Sequence, residues 1–206
     1  MEIYIFIELI SFFSLVLFAL LCFLRIDNTM DTNKLIYLCD LAYLSILSFF
    51  HYFYVLNFFF YEFTVIISLL IVITFFIFFV LSIFSYQFIR LRILFIPFFF
   101  ILIIFRFFIG LSSIDYNIGV NLFENHYLLI HILTSLLSYS LITISLVTAS
   151  CTFIQDVYIK KMKYNQFINN FLPSMYESEM LAIRFLYLTI LFLIISLISG
   201  YYYFID

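Results

Sequence analysis

Six long apolar runs, separated by short polar breaks, take up nearly all of this 206-residue chain and leave it few ways to fold. They extend roughly from Tyr4 to Leu24, Leu35 to Leu56, Phe63 to Phe84, Ile93 to Phe108, Tyr127 to Ile154 and Met180 to Phe204. A helix that crosses the hydrocarbon core of a bilayer needs about 20 mostly apolar residues. With 67% hydrophobic and only 10% charged residues, a water-facing surface cannot be assembled around such a core. The runs are unbroken rather than alternating, so they predict helices and not barrel strands. The sequence therefore predicts an all-α fold, a polytopic bundle of six transmembrane helices. Their expected bounds are about 4–24, 35–56, 63–84, 93–108, 127–154 and 180–204, within a single integral membrane domain over 1–206.

Residue choice adds little beyond this. There are 32 Phe and 17 Tyr against 3 Gly, 2 Pro and no Trp, the skew of an AT-rich coding sequence, so a phenylalanine stripe marks lipid solubility and not a binding box. The net charge of −3 sits in short loops and points to no nucleic acid. Cys22, Cys39 and Cys151 form no CxxC or CxxCH pattern, which signals neither a disulfide framework nor covalent haem attachment. Met1-Glu2 opens the chain without the basic segment of a cleaved signal, so the first helix is expected to be retained. No carboxylate pair, Ser-His-Asp set or Gly-rich phosphate loop is visible, and the expectation is a protein that is not an enzyme.

Basic residues give an orientation. Arg25 and Lys34 fall between helices 1 and 2, Arg90 and Arg92 between 3 and 4, and Lys160, Lys161 and Lys163 between 5 and 6, whereas the intervening loops carry no Lys or Arg. Positive loops stay in the cytoplasm, which predicts that both termini lie on the outer side. Arg184 lies low in helix 6, within reach of the cytoplasmic interface. Tyr52, Tyr54 and Tyr61 suit an outer interfacial belt, and Tyr37 and Tyr158 an inner one. Between helices 5 and 6, Leu172-Pro173 breaks the chain, and Ser174-Met175-Tyr176-Glu177 reads as a capping box that opens helix 6.

Ionisable residues within membrane helices are costly and mark candidate sites. His51 and His131 both fall in the outer half of the membrane on this topology, on helices 2 and 5. On helix 5, His131, Ser135, Ser138, Ser145, Ala149 and Thr152 project in about one direction, a seam of small residues suited to close helix packing. Asp40, Leu44, Leu47 and His51 share a face of helix 2. The pattern predicts an outward pocket with a histidine on each wall. Read from the residues alone, the pair could be hydrogen-bonded packing histidines, haem ligands, or a proton or ion site. Zinc ranks below haem because the Cys or carboxylate ligands it would need are absent at this depth. Arg106 lies at a similar level, either as a contact for a haem propionate, as an interfacial anchor, or as a partner for Asp115 or Glu124.

The stretch Leu128-Leu129-Ile130-His131-Ile132-Leu133-Thr134-Ser135-Leu136-Leu137-Ser138-Tyr139 resembles the fifth helix of the cytochrome c assembly superfamily. The branch it is most similar to is the inner-membrane YpjD and HemX-like proteins, related to the CcsA and CcmC haem-handling proteins. Lys160 to Lys163, Leu172-Pro173 with Glu179, and Ser199-Gly200 continue the similarity, and His51 falls where that branch carries a histidine on its second helix. The resemblance implies a membrane factor that holds or passes haem b at the outer face, with His51 and His131 on the iron. It also implies a bacterial inner membrane, and lipid, haem and other cytochrome c maturation proteins as partners. Two departures stand out. The Trp-rich outer motif of haem-presenting members is absent, and the chain stops at Asp206 where members continue with further helices, so it is expected to be a short or truncated form. The alternatives are an accessory or transport subunit that uses the histidine pair for proton or ion handling, and an inactive remnant.

Overall fold

The computed structural model describes residues 2–24, 32–58, 62–112, 126–161 and 172–205. Arg25, Tyr61, Asp115, Glu124 and Lys163, on which parts of the sequence reading rest, lie outside the described residues. Among the described residues six helices form: α1 (Glu2–Leu21), α2 (Thr32–Phe58), α3 (Glu62–Phe84), α4 (Tyr86–Ser112), α5 (His126–Lys160) and α6 (Met175–Ile205). No strand occurs among the described residues. The five helices α2 to α6 are long and apolar enough to cross a membrane, and α1 carries a shorter apolar stretch over Ile5–Leu21. The chain is thus a multi-pass helical membrane protein.

Helix α4 begins well before the expected Ile93. Arg90 and Arg92 lie in its first two turns and not in a loop, because α3 and α4 are separated by Ser85 alone. Arg92 can sit inside the helix because its charge is consumed locally. Its Nε donates to the carbonyl of Cys22 at 2.8 Å, Nη2 to that of Leu24 at 2.6 Å and Nη1 to that of Ile89 at 3.0 Å. The first two carbonyls belong to the turn that ends α1, where terminal carbonyls lack helical partners and favour a cation. Pro97 also sits inside α4, as membrane helices tolerate.

Contacts divide the chain into two compact units, Met1–Gly119 and Val120–Asp206, where the sequence reading treats 1–206 as one domain. In the first unit α1 packs on α2 and α4, and α3 packs on α2 and α4, which closes a ring of four helices. Each helix turns one stripe inward at spacings of three and four residues. The stripes are Glu8, Ser11, Leu15, Phe18 and Cys22 on α1, and Tyr37, Leu41, Leu44, Ser48, His51 and Val55 on α2. On α3 the buried positions include Thr64, Ser68, Ile71, Phe75, Phe78 and Ser82, and on α4 they include Arg92, Phe95, Phe99, Ile103 and Arg106. The buried charges thus lie towards the ends of the bundle, and the middle is apolar apart from hydroxyls such as Thr74 that bond back to their own helix. That middle is an aromatic block, with Phe75 stacked on Phe99 and Phe78 against Phe95, both at 4.1 Å between ring centroids.

The second unit is the pair α5 and α6. Its register is fixed by three side chain to backbone bonds: His131 to Ser196, Ser145 to Ala182 at 3.0 Å, and Gln155 Nε2 to the Pro173 carbonyl. Moving fourteen residues along α5, from His131 to Ser145, moves fourteen back along α6, from Ser196 to Ala182, so the helices are antiparallel at constant register. The capping box forms as the sequence predicts. The Ser174 N–H donates to Glu177 Oε2 at 2.9 Å, and the Glu177 N–H to Ser174 Oγ at 3.3 Å.

Candidate functional site

The largest concentration of buried charge lies in the four-helix unit. Three helices each deliver one ionisable side chain to the same level. Glu8 is six residues in from the start of α1, Arg106 six from the end of α4 and His51 seven from the end of α2. At a rise of about 1.5 Å per residue, all three lie about 10 Å inside the end of the bundle at which the chain begins. Their side chains are almost fully enclosed, at 2% exposure for Glu8, 0% for His51 and 1% for Arg106.

Glu8 is the hub. Arg106 grips it with a two-pronged fork, Nε to Oε1 at 2.8 Å and Nη2 to Oε2 at 2.7 Å. His51 Nε2 approaches Oε1 at 2.9 Å from the other side. A carboxylate oxygen only accepts, so this close contact favours the tautomer with the hydrogen on Nε2. The fork is the strongest pairing available to a carboxylate, and it is what lets two full charges rest where water is scarce. Beside it runs an apolar groove of about 340 Å³ between α1 and α4, lined by Leu9, Phe12, Ile103, Ile104, Phe107 and Phe108, with Glu8 at its edge. His51 does not line this groove.

The other histidine sits in a different setting, within the α5–α6 unit. His131 Nδ1 lies 2.8 Å from the carbonyl oxygen of Ser196, which can only accept, so Nδ1 carries the proton. The Ser196 hydroxyl is also near, at 3.2 Å from Nδ1 and 3.4 Å from the His131 carbonyl. The ring rests on Gly200, where a Cβ would meet Nδ1 at 2.9 Å and Cε1 at 3.1 Å. Ser196 and Gly200, one turn apart, therefore form a notch shaped for an imidazole. Nε2, left with its lone pair, makes no hydrogen bond among the described residues, and the residue is partly exposed.

Of the expected site residues, the structure brings His51 and Arg106 together, through a Glu8 that the sequence reading passed over inside the first apolar run. His131 belongs to the other unit, so each histidine is described with its own neighbours. Arg106 finds its carboxylate in Glu8, and this occupies the Nε and Nη2 edge that a propionate would need. Along the expected seam, Ser138 and Ser145 are buried and Ser145 bonds across to α6, while Ser135 is partly exposed and Ala149 is exposed. The buried stripe drifts off Ala149 to Leu141, Thr148 and Gln155, because contact between two long helices follows a seven-residue repeat. Cys22 and Cys151 are buried free thiols and Cys39 an exposed one.

Among the described residues, no group of three or more His, Cys, Asp or Glu is placed to hold a metal ion. Haem asks for less, since the porphyrin brings its own four nitrogens and needs from the protein one or two axial ligands. His131 fits that demand. A ligating histidine typically donates its second ring N–H to a carbonyl or carboxylate, which fixes the tautomer and aims the free nitrogen. No protein-family model, no curated protein and no solved structure matches this chain.

Proposed function

We propose that this protein is a membrane factor for haem handling in cytochrome c assembly, which holds or passes haem b at the outer face of a bacterial plasma membrane. The observation that carries the reading is His131. Its Nδ1–H is tied to the Ser196 carbonyl and its ring is seated on Gly200, so Nε2 is presented as a ready axial ligand. The similarity of residues 128–139 to the fifth helix of the cytochrome c assembly superfamily supports the same assignment. When bound, haem would supply an iron centre for transfer to a partner apocytochrome. The chain's own contribution is to orient one imidazole, fix its tautomer and surround it with apolar helix surface. In this reading all six helices span, α1 included, and both termini lie on the outer side with the His131 end of α5. His51 is a secondary candidate for the iron, because ligation there requires its Nε2 to leave Glu8.

The test is an absorption spectrum of the full chain, purified in detergent after expression with added haem. A Soret band that is lost in His131→Ala and retained in His126→Ala is the expected result. A colourless protein under haem-replete expression, or a band indifferent to His131→Ala, overturns the assignment.

A further inference from the structure

The Glu8, His51 and Arg106 centre stands apart from that haem reading, and its surroundings are not those of a sealed clasp. The ring of helices has a fourth member at this level. Ser68 lies six residues in from the start of α3 and is fully buried. Most buried hydroxyls in this protein bond back to a carbonyl three or four residues earlier, as Ser11, Ser48 and Thr74 do. Ser68 does not, and neither do Thr64, one turn nearer the bundle end, or Ser14, below Glu8 on α1. All three hydroxyl oxygens are buried without a hydrogen-bond partner among the described residues.

A buried hydroxyl without a partner loses about 1–3 kcal/mol, and proteins meet that cost with internal water that takes two to four hydrogen bonds. Ser68 shares the level of the ion pair on α3, with Thr64 one turn nearer the bundle end, and Ser14 lies deeper than Glu8 on α1. Just below them the core turns to Leu15, Leu44, Ile71 and the stacked phenylalanines, which offer water nothing to bond. Water bound to these groups would therefore be stopped from beneath and would exchange through the end of the bundle at which the chain begins.

From this juxtaposition we propose that Glu8, His51 and Arg106 form a buried proton-exchange site, reached by water along Thr64 and Ser68. Among the described side chains, the groups that face it are Glu8 from α1, His51 from α2 and Arg106 from α4, while α3 contributes the uncharged Thr64 and Ser68. With Glu8 ionised, Arg106 charged and His51 neutral, the centre sums to zero. Uptake adds one proton from water to the His51–Glu8 pair and raises the sum to +1, and release returns that proton to water. Arg106 keeps its proton throughout and holds Glu8 in place, which makes it a positioning residue. The aromatic block beneath restricts exchange to one side of the membrane.

The experiment is ¹⁵N-histidine NMR of the full chain in nanodiscs, with the His51 signal assigned from a His51→Gln variant. We expect the His51 Nε2–H, measured against the exchange rate of a free imidazole, to be at least tenfold less protected than the backbone amides of α2 on either side of it are against free amides. Thr64→Val, close to isosteric and without the hydroxyl, should slow that exchange about tenfold and leave the amides unchanged. A structural clasp predicts the opposite: an imidazole N–H as protected as its neighbouring amides, released only when the bundle opens. That result, or a Thr64→Val rate equal to wild type, overturns the proposal.

Discussion

The two units each enclose a histidine near the end of a helix, and they hold it by opposite means. In the four-helix unit, charge is answered by charge, and His51 is the third member of a Glu8–Arg106 pair with no surface exposed. In the α5–α6 pair the partners are neutral, a carbonyl and a hydroxyl on Ser196, and shape does the rest through the gap at Gly200. The difference follows from what each assembly can enclose. Four helices make an interior deep enough to remove an ion pair from lipid and from the bulk solvent. Two helices have only a seam, where small residues and hydroxyls gain from close approach. The first arrangement suits a group that must be kept, and the second suits a group that must be offered.

The contrast is open to attack at three points, in decreasing order of expected effect. Glu8→Ala leaves Arg106 charged and enclosed, a change that costs about 3–5 kcal/mol when one partner of a buried pair is removed. SDS titration of the full chain followed by circular dichroism should show an early loss of helix in the variant. Combining Glu8→Leu with Arg106→Met should recover much of it, since removing both charges removes the stranded one. A loss below about 1 kcal/mol in Glu8→Ala means that charge pairing does not close the bundle.

Gly200→Ala tests shape instead. The added Cβ would stand 2.9 Å from His131 Nδ1, closer than carbon and nitrogen sit unbonded, so the ring or α6 must shift. Overpacking of this kind costs about 1–3 kcal/mol in the same titration, and it should weaken the Soret band along with the seat of the ring. An unchanged spectrum with unchanged stability would show that the notch is not tight. Ser145→Ala, which deletes the bond to the Ala182 carbonyl, should cost only about 0.6 kcal/mol, the usual value for a hydrogen bond between membrane helices. A cost several times larger would give the seam a polar anchor of its own and blur the distinction between the units.

Much of this architecture was legible in the residues. The apolar runs locate all six helices, and Ser174 with Glu177 marks the start of α6 to the residue, because a capping box is a local pattern read over one turn. The His131 seam was legible as far as Ser145. It misplaced Ala149 because a direction summed at 100° per residue ignores the slow winding of two helices about each other. The charged centre was not legible for a different reason. Glu8 and Arg106 are 98 residues apart, and nothing local to either announces the other. A signal did exist: a glutamate, a histidine and an arginine, each six or seven residues from a helix end, fall at one depth once the helices alternate in direction. Arg92 was hidden in the same way, counted as a loop charge when its true partners are carbonyls of α1.

Those long separations have a consequence for biogenesis. The carbonyls of the turn that ends α1 wait for Arg92, and Glu8 waits for Arg106, so α1 is made well before the helix that completes it. At about 5–20 residues per second, a ribosome needs roughly 5–20 s to travel from one member of the ion pair to the other. Through that interval the helix with the shortest apolar stretch carries a carboxylate whose counter-charge has yet to be synthesised. The closure of the ring by α4 is thus the committing event in the life of the unit, and a chain cut short before Arg106 would leave α1 without either of its fastenings.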